Sequence, residues 1–67
     1  MRVILQNRKS LLYFKASNQW TPFIHEASDF EGIIKAVDFI SEVKLPGIDV
    51  LMHFGDPKYD VRLKVTN

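Results

Sequence analysis

The stretch 28–44, SDFEGIIKAVDFISEVK, constrains the fold more than any other part of the chain. Ser28 and Glu31 have the spacing of a capping box, which predicts that a helix begins at Ser28. Pro46 and Gly47 predict that this helix ends before them. Its apolar residues recur at the spacing of one helical face, which we expect to build the core: Phe30, Ile33, Ile34, Val37, Ile40 and Val43.

Short segments on both sides of this helix are typical of β-strands, because β-branched and aromatic residues alternate with polar ones. They cover 2–6, 11–16, 48–54 and 61–65, and a very short fifth strand at 20–21 ends at Pro22, which cannot donate a ladder hydrogen bond. In the last strand we expect Val61, Leu63 and Val65 to face inward. The order β-β-(β)-α-β-β predicts an α+β fold in two layers, with one antiparallel sheet of four to five short strands packed on a single helix.

Length and composition favour one folded domain over residues 1–67, since 46% of the residues are hydrophobic and 25% are charged. The chain has no cysteine, which excludes disulfides and thiolate metal sites and favours a reducing, cytoplasmic location. Its apolar runs are far shorter than the roughly 20 residues that a membrane-spanning helix needs, so no membrane partner is expected.

No residue pattern predicts catalysis or a cofactor. The pair His25-Glu26 begins like the zinc-protease pattern HExxH, but Asp29 stands where the second histidine is required. The other histidine, His53, has no sequence spacing that brings it to His25, so we expect no metal site. The three glycines are too widely separated for a phosphate-binding loop. We therefore predict that the protein is not an enzyme.

The sheet face that the helix leaves uncovered, called the outer face below, is the candidate interaction surface. It is expected to expose Arg2, Ile4, Leu11, Tyr13, Lys15, Leu51, His53, Arg62 and Lys64. Apolar side chains on an open face are typical of a protein interface, most simply with a second copy. Basic groups beside an aromatic ring are also found where sheets bind nucleic acid. A third interpretation is an ordinary surface on which long basic side chains cover scattered apolar residues.

Our leading hypothesis is a non-enzymatic protein-interaction module that homodimerises through the outer face, since a chain this small gains stability from a partner. A partner protein of another kind is also compatible with that face. The alternative is a weak nucleic-acid-binding domain that uses Arg2, Tyr13, Lys15, Arg62 and Lys64. The net charge of only +1 weakens that alternative.

Four short patterns resemble a group of small uncharacterised bacterial proteins with the same β-β-α-β-β layout. They are Trp20-Thr21, Ala27-x-Asp29-Phe30, Ala36-x-x-Phe39 and Asp56-Pro57-x-Tyr59-Asp60-Val61-x-Leu63. The chain departs from that group at Phe23-Ile24-His25, which is apolar where polar residues are typical. The resemblance implies a bacterial, cytoplasmic, stand-alone domain and brings no activity with it.

Overall fold

The computed structural model describes residues 1–16, 18–44 and 46–65. Within these residues, five strands form one antiparallel sheet, and a single α-helix packs on it. Across the sheet the strands lie in the order third, second, first, fourth and fifth along the chain. The predicted α+β fold is therefore confirmed. The elements are β1 (Arg2–Asn7), β2 (Tyr13–Ala16), β3 (Gln19–Thr21), a 3₁₀ helix (Ile24–Glu26), α1 (Ile33–Val43), β4 (Ile48–His53), a second 3₁₀ helix (Pro57–Tyr59) and β5 (Val61–Lys64).

The main core lies between α1 and the two central strands. Ala36 and Ile40 of α1 are fully buried against residues of β1 and β4 that alternate along each strand: Val3, Leu5, Ile48 and Val50. Aromatic rings extend this core from α1 over β2 and β3, since Phe39 of α1 packs against Phe14 of β2, and Phe14 in turn packs against Trp20 of β3. Phe30 packs against both Phe14 and Phe39. A helix is about 10 Å wide and strands lie about 4.8 Å apart, so one helix covers about two strands of five.

The helix begins later than the sequence predicts. Its N-cap is Gly32, which makes no side-chain capping bond, so the capping box at Ser28 is wrong. The reason is that the preceding residues belong to the sheet: the Ser28 N–H donates to the Phe14 carbonyl at 2.9 Å and the Phe30 N–H donates to the Val3 carbonyl at 2.8 Å. The predicted end is confirmed, with Lys44 as the C-cap in the left-handed conformation.

The predicted apolar stripe of the helix is only partly buried. Ile40 is fully buried, but Ile34 is 77% exposed. Because each residue turns the helix by about 100°, Ile34 lies about 160° around the axis from buried Ala36. The apolar residues of the stretch therefore occupy more than one face, and Ile34 belongs to the solvent side.

The strands agree with the predicted segments, with two exceptions. The second strand begins at Tyr13 and not at Leu11, because Leu11 adopts a positive φ of 64° that no strand accommodates. In β5, Val61 and Leu63 lie opposite Met52 and Val50 and therefore on the helix side. We expected these two residues to face inward. They lie on the helix side of the sheet, but α1 does not cover them, so they are 45% and 38% exposed and the expected burial is wrong. No helix in the described residues is long and apolar enough to cross a membrane.

Candidate interaction surface

The outer face is not the open surface that the sequence suggests. Ile4 and Leu51 are only 0% and 3% exposed, because Ile24 and Ala27 pack over them. Tyr13 packs against the same cluster and is half-buried. The prediction that Ile4 and Leu51 are exposed is therefore wrong. The segment that covers them, 22–27, lies between the predicted strand at 20–21 and the predicted helix start at Ser28, and no element is predicted for it from the sequence.

Arg2 fastens this covering segment to the sheet. Its guanidinium donates from Nη1 to the Ile24 carbonyl and from Nη2 to the Ala27 carbonyl, both at 2.8 Å. Its Nε donates to Oδ1 of Asp29 at 2.6 Å. Three hydrogen bonds in three directions use the rigid donor fork of the guanidinium. Arg2 thus ties this segment to β1, and its charge is already paired with Asp29.

Lys15 and the aromatic residues near β3 border a shallow depression of about 560 Å³. Glu26 accepts a hydrogen bond from the Thr21 hydroxyl at 3.0 Å, and Nζ of Lys15 lies 3.6 Å from the same Oε1 atom. Trp20 and Phe23 form its apolar wall. These three polar groups therefore pair with one another.

The two histidines lie in different places. His25 lies beside the Phe23 ring, whereas Nδ1 of His53 is 2.8 Å from Oδ1 of Asp60, and both side chains of the latter pair are largely buried. Among the described residues no three His, Asp or Glu side chains are placed to hold a metal ion. The His53–Asp60 contact follows from the hairpin register, since the next pair inward is Met52 with Val61. Sequence reasoning missed it, although the predicted strands 48–54 and 61–65 place both residues near the same connection.

Asp49 is the most buried charge of the described chain and lies between two arginines. It is 2% exposed. Arg8 donates to its Oδ1 from Nη2 at 2.8 Å, and Arg62 donates to its Oδ2 from Nη1 at 3.2 Å. Burial by itself raises the pKa of Asp49, but the hydrogen bonds and charges of Arg8 and Arg62 outweigh it, so the pKa lies below its usual value. Arg8, 41 residues away in sequence, was not predicted as a partner.

A cationic excess remains around this carboxylate. Lys64 lies opposite Asp49 in the β4–β5 register, so its side chain projects from the same face as Arg62. Both residues belong to β5, are exposed, and were predicted to face outward. Arg62 is held in place by Asp49, while the described residues provide no ion pair for Lys64. The positive charge on this side of β5 is therefore only partly neutralised.

Across the part of the chain that the structure describes, no strand pairs with the outer backbone edge of β5, because β5 is the last strand of the sheet. The alternation of hydrogen bonds shows which groups point outward. The Val3 carbonyl accepts a hydrogen bond from the Phe30 N–H on the β2 side of β1. The backbone groups of the next residue, Ile4, therefore point the other way and bond those of Leu51 in β4. By the same alternation, Val50 of β4 directs its backbone groups toward β5, where they bond Leu63. It follows that Arg62 and Lys64 direct their backbone N–H and C=O groups away from the sheet.

The β5 edge, meaning the outer side of Val61–Lys64, thus combines three features. It offers unpaired backbone groups, an apolar side at Val61 and Leu63, and a basic side at Arg62 and Lys64. Met52 of β4 and Val37 of α1 continue the apolar side toward the core. Val37 lies about 160° around the helix axis from Phe39 and therefore on the opposite flank of α1. Of the predicted face, only Arg62 and Lys64 belong to this edge, and Leu11 is exposed in the β1–β2 loop.

Comparison with known proteins gives no relative for this chain: no family model, no curated protein and no solved structure matches it.

Proposed function

We propose that the protein is a non-enzymatic protein-interaction module that binds a partner by adding an extended segment of it to the β5 edge. The observation that carries this proposal is the exposure of Val61 and Leu63, 45% and 38%, on a strand whose outer N–H and C=O groups are not paired by any strand of the described residues. Such edges are usually shielded in monomeric proteins because they pair readily with other chains. Strand addition uses those backbone groups for affinity and alternate side chains for specificity.

A second copy of the chain is the other occupant to consider. The outer-face homodimer loses its support, because Ile4 and Leu51 are covered within one chain. A homodimer through β5 would keep the apolar contact of Leu63 but would place Arg62 and Lys64 of both copies side by side. Like charges across a strand pair oppose association. The nucleic-acid alternative gains no specific support, since Arg2, Lys15 and Arg62 are each paired with a carboxylate.

The cytoplasmic location is kept as part of this proposal, resting on the cysteine-free composition.

Backbone hydrogen exchange of the full chain tests the proposal residue by residue. In the free protein the amides of Arg62 and Lys64 should exchange fast, and those of Val61 and Leu63 should be protected by β4. Three blocked pentapeptides, VEVEV, VQVQV and VKVKV, are then added separately at millimolar concentration. Strand addition predicts new protection at Arg62 and Lys64 with at least one of them.

Two controls make this experiment decisive. The amides of Ile34 and Lys35, on the exposed side of α1, should keep their exchange rates with every peptide. The variant Leu63→Ser removes apolar area from the same edge and should weaken every interaction there. If no peptide protects Arg62 and Lys64, and light scattering shows a monomer at tens of micromolar, strand addition is abandoned.

A further inference from the structure

We infer that the segment received by the β5 edge belongs to another protein and alternates apolar residues with aspartate or glutamate. This inference rests on the proposed function and adds the chemistry of the partner. In an added strand, successive side chains project to opposite faces of the sheet. One set meets Val61 and Leu63, and the other meets Arg62 and Lys64.

The apolar half of the partner is set by the helix side of the edge. Val61 and Leu63 are exposed there, and Met52 of β4 lies directly behind Val61 in the register. A β-branched or other apolar side chain on the added strand would cover these residues and extend the core by one strand. A polar side chain in this position would leave them exposed.

The acidic half is set by charge on the opposite side. Nη1 of Arg62 donates a hydrogen bond to Asp49. This bond holds the Arg62 side chain beside the edge, and the other N–H groups of its guanidinium do not bond Asp49. A fixed guanidinium presents a planar fork that suits a carboxylate. Lys64 lies next to it on the same face, so two cations are aligned at the spacing of alternate residues on one strand.

The same charges argue against the second copy as the occupant. Pairing β5 with β5 brings two Arg62 and two Lys64 side chains onto one face. The two Asp49 carboxylates are already bonded by Arg8 as well as by Arg62, so they do not neutralise the new pairs. An acidic strand from a different chain removes this repulsion, which is why the edge favours it.

The test compares the affinities of VEVEV, VQVQV and VKVKV for the full chain, measured from the amide shifts of Arg62 and Lys64. The expected order is glutamate, then glutamine, then lysine, with about tenfold between the first two if each of two exposed ion pairs contributes about 0.7 kcal/mol. Added salt should weaken VEVEV and leave VQVQV nearly unchanged, because exposed charges are screened.

A charge variant locates the effect. Lys64→Gln should weaken VEVEV roughly two- to fivefold and leave VQVQV unaffected, whereas Lys35→Gln on the exposed side of α1 should change neither. Equal affinity of VEVEV and VQVQV would overturn the acidic partner and leave strand addition in place. Protection of Arg62 and Lys64 by self-association, without peptide, would replace the acidic partner with a second copy. Failure of all three peptides, with a protein that light scattering shows to be monomeric, would remove both proposals together.

Discussion

Nε of Arg2, the second residue of the chain, donates a hydrogen bond to Oδ1 of Asp29 at 2.6 Å. The same guanidinium bonds the carbonyls of Ile24 and Ala27. One side chain of β1 thereby determines where the segment between β3 and α1 lies, and this segment in turn buries Ile4 and Leu51. A surface that residue alternation predicts to be open is closed by a long-range contact from the first strand.

Replacing Arg2 should therefore destabilise the protein and loosen the covering segment. We expect Arg2→Ala to lower the free energy of unfolding by about 2 kcal/mol, since hydrogen bonds to a charged group contribute about 1.5–3 kcal/mol. Arg2→Lys should recover only part of this loss, because an ammonium group cannot reach all three acceptors in the geometry of a guanidinium. Urea unfolding measures the change, and faster exchange of the Ala27 amide would locate it.

The matched control is Lys9→Ala, a cation removed from an exposed loop position. It should change the free energy of unfolding by less than about 0.5 kcal/mol. An Arg2→Ala variant as stable as Lys9→Ala would show that the three hydrogen bonds do not hold the segment.

Asp49 should make stability depend on pH in the acid range. Its pKa is lowered in the folded state relative to the ordinary value of 3.8, because the bonds and charges of Arg8 and Arg62 outweigh the effect of burial. The stabilisation from its ionised form is therefore fully present above pH 3.8 and is lost as the pH falls from there through the folded-state pKa. Thermal unfolding measured from pH 6 down to acid should show this loss in the native chain.

Two asparagine variants isolate the contribution of Asp49. Asp49→Asn should be less stable than the native chain at neutral pH, and the difference should shrink as the pH falls below 3.8. Asp38→Asn, at an exposed position of α1, should follow the native curve. A constant difference between Asp49→Asn and the native chain at every pH would contradict the ion-pair explanation.

The helix offers a direct comparison between two isoleucines that the sequence pattern treats alike. Ile40 is fully buried and Ile34 is 77% exposed. Ile40→Ala should lower the free energy of unfolding by about 3 kcal/mol, since it removes buried methyl groups and leaves a cavity. Ile34→Ala should change it by less than about 0.5 kcal/mol. Denaturant midpoints of the two variants test this, and equal losses would mean that α1 is rotated relative to the sheet.

These residues show how far the sequence predicts the structure. Alternation along the strands gave the fold class, because the side-chain period of a strand is fixed by its backbone. The helix boundary failed at Ser28 and Phe30, whose amides bond Phe14 and Val3 across the sheet. No local pattern encodes such bonds. The covering of Ile4 and the pairing of Asp49 with Arg8 also depend on contacts between distant residues.

The candidate site shows the same division. Alternation within one strand was enough to predict that Arg62 and Lys64 face outward. The position of β5 at the end of the sheet depends on strand order, which a hydrophobic pattern does not contain. The exposure of Val61 and Leu63 depends on which strands α1 covers. The β5 edge therefore became recognisable only from the assembled sheet.

Leu11 gives a last test, because it is a non-glycine residue with a φ of 64° in an exposed loop position. The left-handed conformation costs a side chain with a Cβ about 1–2 kcal/mol and costs glycine little. The greater freedom of glycine in the unfolded chain offsets part of this cost. Leu11→Gly should therefore raise the free energy of unfolding by a net amount of about 1 kcal/mol. Lys9→Gly, in the same loop at a residue without positive φ, should lower it instead. Urea unfolding of both variants distinguishes relief of backbone strain from a general effect of glycine, since a general effect would shift both in the same direction.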